Sequence, residues 1–560
     1  NNTNIKRNSF FTYGVLMAKK TKRIPKKKIS SSKSKKVVHK SKPKKRITRK
    51  SHSSIPKDVC SLRHGKEREE FIVKEIHIET GGIIVCLLLA SQAKQLDLRS
   101  GDRVLLKNKK KHITAILDTT HSNATVPCNS IGLFEETRQK LKVKNGQKIH
   151  IEYIGKPKAV SYIKKKVHGH PLSKSELTII IQAFVDDKLT DIEKTAFVMA
   201  ANHHGFSAKE TADLTRAMVS TGSTIEFKNK LVIDKHCIGG VPNNRTTMIV
   251  GPIISVAGLT MPKTSSRAIT SPAGTADTME CLANVELTKK QIMNTVKKAG
   301  VCLIHGGSLN LAPADEKIID IERLLSIDAT GQLLASVMAK KASVGSKIVL
   351  IDIPKGPSTK TPTTKLANDL KEKFIALGKN LGIKVHAIIT DGRQPIGSGV
   401  GPVLEAKDVM RVLKRDHDAP KDLEEKSLVM AGILLELAKK SKKGHGYKMA
   451  RDILHSGKAF TAMKKIIKLQ GKVSPPPLGD KIHHIKAKKS GKIKSIDNIA
   501  IARIARVAGA PFDKGAGLYL YKKIGHKVKK GDLLFTIYAY STDKLRLAKN
   551  LVKETKAITY

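Results

Sequence analysis

The spacing of apolar residues changes three times along the chain. Between residues 66 and 160 they come in short runs: Phe71-Ile72-Val73, Gly82 to Ala90, Arg103-Val104-Leu105-Leu106, His112 to Leu117 and Lys148 to Ile154. Gly, Asn and Lys turns separate them, which predicts strands and a small N-terminal β-rich domain. From residue 170 the period becomes helical. Ser173-x-x-Glu176, Thr190-x-x-Glu193 and Ser207-x-x-Glu210 are capping boxes ahead of apolar stretches. They predict three helices and a small helical domain over 170–230, the second helix ending at Gly205 and the third near Gly222. From Leu231 to about Gly471 strands and helices alternate. Leu231-Val232-Ile233, Val301 to Ile304, Lys347 to Ile353 and Lys384 to Ile389 read as buried strands. Thr246 to Leu259, a segment from Ala276, Thr330 to Lys341, Lys365 to Leu381 and Ser427 to Lys440 read as helices. After the linker Val473-Ser474-Pro475-Pro476-Pro477, the stretch Gly491 to Tyr540 alternates and turns on glycine. The expected class is multidomain α/β. It comprises a β-rich N-terminal domain, a small helical domain, a large α/β domain with a mixed or parallel sheet, and a β-rich C-terminal domain over 473–560.

Charge alters the picture at the N-terminus. The formal net charge is +57, and residues 1–57 hold 20 Lys or Arg and no acid. Residues 1–65 read as a basic disordered tail, because such a segment buries too little apolar surface to order itself. The tail offers nonspecific nucleic-acid contact, or a targeting role, and Met17 is a candidate start. The remaining +37 favours anionic substrates. Six scattered cysteines without a Cys-x-x-Cys pair read as free thiols of a reducing compartment, hence a cytoplasmic location. His203-His204 and His483-His484 read as surface loops, and no spacing fits a metal site. The apolar run Ile83 to Ala90 is too short to span a bilayer.

Chemistry concentrates between Leu231 and Ala283. Gly239, Gly240 and Pro242 force a turn between a strand and an apolar helix. Such a turn offers backbone N–H groups and a helix N-terminus to an anion. The device repeats thirty residues on, where Ser265, Ser266, Thr270, Ser271 and Thr275 crowd a loop with Gly274 ahead of the next helix. Lys235, His236, Lys263 and Arg267 add positive charge. Two anion cradles this close suit a substrate with phosphate groups; the plain alternative is a strand–turn–helix repeat with capping hydroxyls. Gln394-Pro395-Ile396-Gly397-Ser398-Gly399-Val400-Gly401 is a further glycine loop, read as packing and hinge support. No Walker-type Gly-Lys-Ser/Thr occurs.

Lys235-His236-Cys237-Ile238-Gly239-Gly240-Val241 and Ser265-Ser266-Arg267-Ala268-Ile269-Thr270-Ser271-Pro272-Ala273-Gly274-Thr275-Ala276-Asp277 resemble motifs of the thymidine phosphorylase and AMP phosphorylase family. So do Leu309 to Asp315, Ala335 to Lys341 and Gln394 to Gly397. The resemblance covers roughly residues 70–545. It implies phosphorolysis of an N-glycosidic bond, with inorganic phosphate as co-substrate, no cofactor and no metal. It also implies that residues 322–345 join the helical domain, that the α/β domain comprises 231–321 and 346–472, and that the enzyme is a homodimer or larger homo-oligomer.

The same resemblance assigns roles. Lys235, Thr247, Ser265 and Thr275 match phosphate-holding positions, and Cys237 stands where the thymidine branch has Ser. Lys340 and Ser336 match positions that hold the base or nucleoside. Glu322 stands where pyrimidine enzymes carry an Arg, with Arg323 one residue later. The AMP phosphorylase pattern fits better: Gly240, Ser266, Arg267, Ala268, Ile269, Thr270, Ser271 and Thr275 match its nucleotide-binding positions, Asp328 its proton donor, and Ser336 and Lys360 further nucleotide contacts. Taken as single residues, Asp328 reads equally as the cap of the Thr330 helix, and Lys360 as a solvated loop lysine. Asn243 replaces a glycine of both branches, so the turn there must tolerate a side chain, and Asn is the least costly replacement if φ is positive. The alternatives are a thymidine phosphorylase, a more distant phosphoribosyltransferase, and a catalytically inactive nucleic-acid-binding protein.

Overall fold

A computed structural model describes residues 69–560 apart from Lys110, Ile269, Thr270, Asn310, Ser326 and Asp328, with only the backbone of Ser308. The expectations for residues 1–65 and for Ile269, Thr270 and Asp328 lie outside the described residues.

The first strand-like runs close into a six-stranded barrel, in the order Glu70–Ile76, Ser130–Phe134, Val85–Leu89, Lys111–Thr120, Arg103–Asn108, Lys148–Tyr153. Alternate side chains point inward, so Phe71, Val73, Cys86, Leu88, Val104, Leu106, Ile131 and Leu133 form one buried core. Ser130–Phe134 was not foreseen. Its two pairings, parallel with Glu70–Ile76 and antiparallel with Val85–Leu89, are distant in sequence, and at Gly132 a Cβ would lie only 3.0 Å from Val126 and 3.1 Å from Leu87.

All three capping boxes form, on helices Lys174–Val185, Asp191–His204 and Ala208–Ser220. The helix Lys158–Val167 precedes them. Their shared core takes in Ala312, Ala314 and Ile318, and also Ala335 and Ala339 of the helix Thr330–Ala342. Leu334, Val337 and Met338 of that helix face the other way, into a core with Val349, Ile351 and Phe374. One helix therefore packs on both sides. Arg103 of the barrel ion-pairs with Glu193 of the helical layer.

The central sheet is parallel. Lys384–Asp391, Ile348–Lys355 and Ile233–Cys237 are neighbours in that order, and Met261–Ser265 pairs with Val301–His305. A parallel bridge from Val232 to Thr260 joins the two groups. The largest core lies beside this sheet, under the apolar helix Thr247–Val256 and helices Pro402–Lys414, Lys421–Leu437, Gly446–His455 and Lys458–Gln470.

The C-terminal sheet runs Gly399–Val400, Gly517–Leu520, Leu533–Ala539, Lys481–Lys486. The predicted glycine loop Gln394–Gly401 thus ends as a strand of this sheet, which makes it a packing element. Two helices, Asn498–Val507 and Thr542–Glu554, pack with these strands, the first within the stretch read as alternating. Ile499 and Ile501 are spaced as in a strand, yet Ile501, Ile504 and Ala505 share one buried helical face. The histidine pairs are not loops. His203-His204 ends a helix, and His483-His484 lies in the strand Lys481–Lys486, where His484 Nδ1 and the Thr536 hydroxyl share a hydrogen bond. Cys128 is disulfide-bonded, which corrects the reading of six free thiols; Cys86, Cys237, Cys281 and Cys302 are free. Sequence spacing carries no information on which thiols fold within reach of one another. Among the described residues no helix is long and apolar enough to cross a membrane.

Candidate functional site

The predicted residues gather at the carboxyl ends of the parallel strands, where open α/β sheets bind their ligands. Ile233–Cys237 enters the first glycine turn there. Gly240 has φ +88, and a Cβ on it would lie 3.0 Å from Thr359 Cα and 3.4 Å from Lys360 N. The missing side chain lets the 356–361 turn close over the loop, so Gly240 and Lys360, 120 residues apart, become neighbours. Asn243 has φ +56, and its Nδ2 donates to Asp408 Oδ2 at 2.7 Å.

Lys235 is wholly buried, and its Nζ donates to Thr246 Oγ1 at 2.6 Å. Burial lowers its pKa, partly offset by Asp352. Asp352 accepts from Asn244 at 2.9 Å and ion-pairs with Lys426 at 3.0 Å. Burial alone would raise its carboxyl, but Lys426 and Lys235 outweigh that and hold it low. His236 is pushed well down by burial and by Lys341 and Lys263, which keeps it neutral. Cys237 Sγ accepts from Gly239 N at 3.4 Å and Asn244 Nδ2 at 3.0 Å, and burial pushes its thiol up to about 11. The residue is thus a neutral acceptor that fixes the turn. Thr247, the first residue of the next helix, is buried.

The second loop is built differently. Gly274 is irreplaceable on steric grounds, since a Cβ there would meet Ser266 O at 2.4 Å and Arg267 C at 2.6 Å. Asp277 Oδ2 accepts from both Ala268 N and Gly274 N at 2.7 Å, closing the loop over the helix Thr275–Glu280. Ser271 Oγ donates to Ala273 O at 2.9 Å. Arg267, predicted to supply charge to an anion, instead grips Glu280 through two bonds of 2.9 Å and Glu286 at 2.8 Å. Those contacts raise its pKa and hold Glu280 down at about 2. The cation at the second cradle is Arg245, which the sequence reading missed. It reaches Thr275 Oγ1 at 2.8 Å and Ala273 O at 2.6 Å, and ion-pairs with the buried Glu405. Ser265 Oγ and Thr264 Oγ1 are buried with no hydrogen-bond partner. Orphaned buried hydroxyls are rare, and these two stand at the strand end that an anion would approach.

The helix Thr330–Ala342 supplies a third wall. Ser336 and Lys340 lie one turn apart on it. Lys340 Nζ ion-pairs with Asp315 at 2.6 Å, over a narrow recess lined by Gly306, Gly307, Ala312, Pro313 and Glu316. Lys341 is buried and ion-pairs with Asp234 at 2.7 Å. Asp234 also faces Lys263 at 3.6 Å, and burial drives Lys263 well down despite that partner. Asp234, Asp315, Asp352 and Lys426 were not predicted; Asp234, an acid inside the apolar run Leu231–Ile233 and its neighbours, was the available signal. A hollow of about 590 Å³, lined by Val256, Ser441, His445 and Lys448 among others, touches none of the predicted site residues. Among the described residues no three His, Cys, Asp or Glu side chains gather as a metal-binding group.

Comparison with known proteins gives three adjoining matches. Residues 160–222 match the glycosyl transferase family helical bundle domain, 229–460 the glycosyl transferase family a/b domain, and 492–559 the pyrimidine nucleoside phosphorylase C-terminal domain. The AMP phosphorylase of Pyrococcus furiosus is 44% identical over 491 residues, covering 87% of this chain and 97% of the relative. The AMP phosphorylase of Thermococcus kodakarensis is 45% identical, covering 85% and 95%. A putative thymidine phosphorylase of Rhodopseudomonas palustris is 41% identical, covering 88% and 96%. With buried cations and orphaned hydroxyls at the strand ends, these likenesses identify the chain as a pentosyltransferase belonging to the thymidine phosphorylase and AMP phosphorylase family.

Proposed function

We propose that the enzyme cleaves a nucleoside 5′-monophosphate, AMP first among them, with inorganic phosphate. A phosphate oxygen attacks the anomeric carbon as the N-glycosidic bond breaks, giving free base and ribose 1,5-bisphosphate. Lys235, Thr247, Ser265 and Thr275 hold the attacking phosphate, and Gly240 with the loop from Ser266 to Ser271 holds the nucleotide. Ser336 and Lys340 hold the nucleoside. Asp328 protonates the leaving purine, which departs more readily when N7 is protonated. The observation that carries the nucleotide reading is the seating of Thr359 and Lys360 against Gly240. It brings an exposed lysine beside the phosphate turn, where a 5′-phosphate has use for it and a bare nucleoside has none. The AMP phosphorylase relatives support the same choice.

Thymidine is the second reading, favoured by the relative named putative thymidine phosphorylase. The enzyme works in the cytoplasm as a homodimer or larger homo-oligomer. Base release from AMP, adenosine and thymidine, with and without phosphate, tests the proposal. AMP should react only when phosphate is present. Lys360→Gln should raise the KM for AMP about tenfold, the worth of one charge-assisted contact, and leave adenosine unaffected. Asp328→Asn should lower kcat by roughly 10²–10⁴. Wild-type preference for thymidine over every 5′-nucleotide, or full base release without phosphate, would overturn it.

A further inference from the structure

A strongly one-sided charge lies away from the site. Residues 439–472 hold eleven Lys or Arg (439, 440, 442, 443, 448, 451, 458, 464, 465, 468 and 472) and one acid, Asp452. All eleven are exposed. On the helix Lys458–Gln470 the buried residues Ala459, Met463, Ile466, Ile467 and Gln470 define the inner face. At about 100° per residue, Lys458, Lys464, Lys465 and Lys468 fall in an arc of about 120° on the opposite face. The stripe runs from the rim of the 590 Å³ hollow, where Lys448, Lys458, His445, Ser441 and Ser456 meet.

The nearby acids are already engaged. Asp452 faces Lys448 at 3.4 Å, Glu436 accepts from Gly444 N and Gly446 N, Glu425 from the Tyr447 hydroxyl, and Glu424 pairs with His455. The stripe therefore presents nearly uncompensated positive charge. We propose that this face binds the phosphate backbone of a nucleic-acid duplex without reading its sequence. Lys458 to Lys468 spans about 15 Å along the helix axis, the length of roughly four successive phosphates of one strand. Residues 439–472 expose no Phe, Tyr or Trp ring for stacking single-stranded bases: Tyr447 is half-buried with its hydroxyl on Glu425, and Phe460 is half-buried beneath Lys464, whose Nζ lies 4.8 Å from its centroid. None of the exposed large apolar side chains falls between residues 439 and 472, so the face also lacks the anchors that a membrane surface would engage.

The test uses the full chain and a 20-base-pair duplex followed by fluorescence anisotropy at several salt concentrations. The variant replaces Lys458, Lys464, Lys465 and Lys468 with Gln. A control variant, equal in net charge, replaces Lys365, Lys371, Lys379 and Lys384 with Gln. The patch variant should bind at least about tenfold more weakly at 50 mM salt, and its log–log salt slope should fall by about 3–4. The control should match the wild type, and both variants should keep the phosphorolysis rate. Unchanged binding by the patch variant overturns the proposal. Equal losses in both variants also overturn it, as a bulk-charge effect carried by the basic N-terminus. A loss confined to anionic phosphatidylserine vesicles overturns it in favour of a membrane partner.

Discussion

The two glycine loops read alike in sequence and are built on opposite principles. In the first, charge faces inward. Lys235 is buried against Thr246, and Asp352, itself paired with Lys426, balances it from behind. In the second, the conspicuous cation faces outward: Arg267 is spent on Glu280 and Glu286, and Asp277 ties the loop through backbone N–H groups. A basic residue in a phosphate-loop motif can therefore be a ligand or a brace, and only its partners tell which. In the proposed reaction the first loop would hold an anion through a desolvated ammonium, the second through shape and dipoles.

Lys235→Met should break this contrast hardest. Loss of one preorganised donor of this kind costs about 10²–10³ in turnover, visible here in kcat/KM for phosphate. Because burial lowers the Lys235 pKa, its charge is lost as pH rises through a value below the ordinary lysine range. The KM for phosphate should climb at correspondingly lower pH than an exposed lysine would give, and a flat profile up to that range would argue that another cation holds the phosphate. Gly274→Ala comes next. The new Cβ meets backbone on three sides, so the loop must shift; overpacking of this type costs about 1–3 kcal/mol, read as a lower Tm together with a higher phosphate KM. A variant as stable and active as wild type would show that the loop has slack.

Arg267→Gln should do much less. Its partners are partly exposed, and such pairs contribute about 0–1 kcal/mol, so phosphate KM should stay within about tenfold. A hundredfold rise would make Arg267 a ligand and erase the distinction between the loops. Cys237→Ser is the mildest change. The thiol accepts from Gly239 and Asn244, and a hydroxyl makes the stronger bond, by roughly 0.5–1.5 kcal/mol. The phosphate KM should fall severalfold at most, and a large loss of activity would show that the turn depends on the size of sulfur.

What was legible in the sequence was local or periodic. The three capping boxes need only four residues each, and all three formed. The same signal at Thr288-x-x-Gln291, which starts Lys289–Ala299, went unread. Four of the five strands of the central sheet announced themselves by apolar runs; Met261–Ser265, with Pro, Lys, Thr and Ser after its Met, did not. What escaped depends on tertiary proximity: the strand Ser130–Phe134, the seating of Lys360 on Gly240, and the charge partners of Lys235. Arg245 escaped for another reason. It follows two asparagines in a turn and carries no pattern of its own, yet it bridges the first loop to Thr275 and Ala273 of the second. In the C-terminal region, Ile499 to Ala505 alternates apolar and small residues, a pattern that short strands and helices share.

The helix Thr330–Ala342 sets one more condition on the gene. Lys340 and Lys341 are consecutive, and their ammonium groups serve different masters, Asp315 over the recess and Asp234 beneath the sheet. Consecutive residues on a helix differ by about 100° in direction, and each lysine is bound to its own direction. Deleting or inserting one codon between residues 331 and 339 would turn both lysines by that angle and strand two buried carboxylates at once. Substitutions on this helix can be absorbed residue by residue, whereas its length is fixed, so insertions and deletions should be purged from residues 331–339 in any library selected for phosphorolysis.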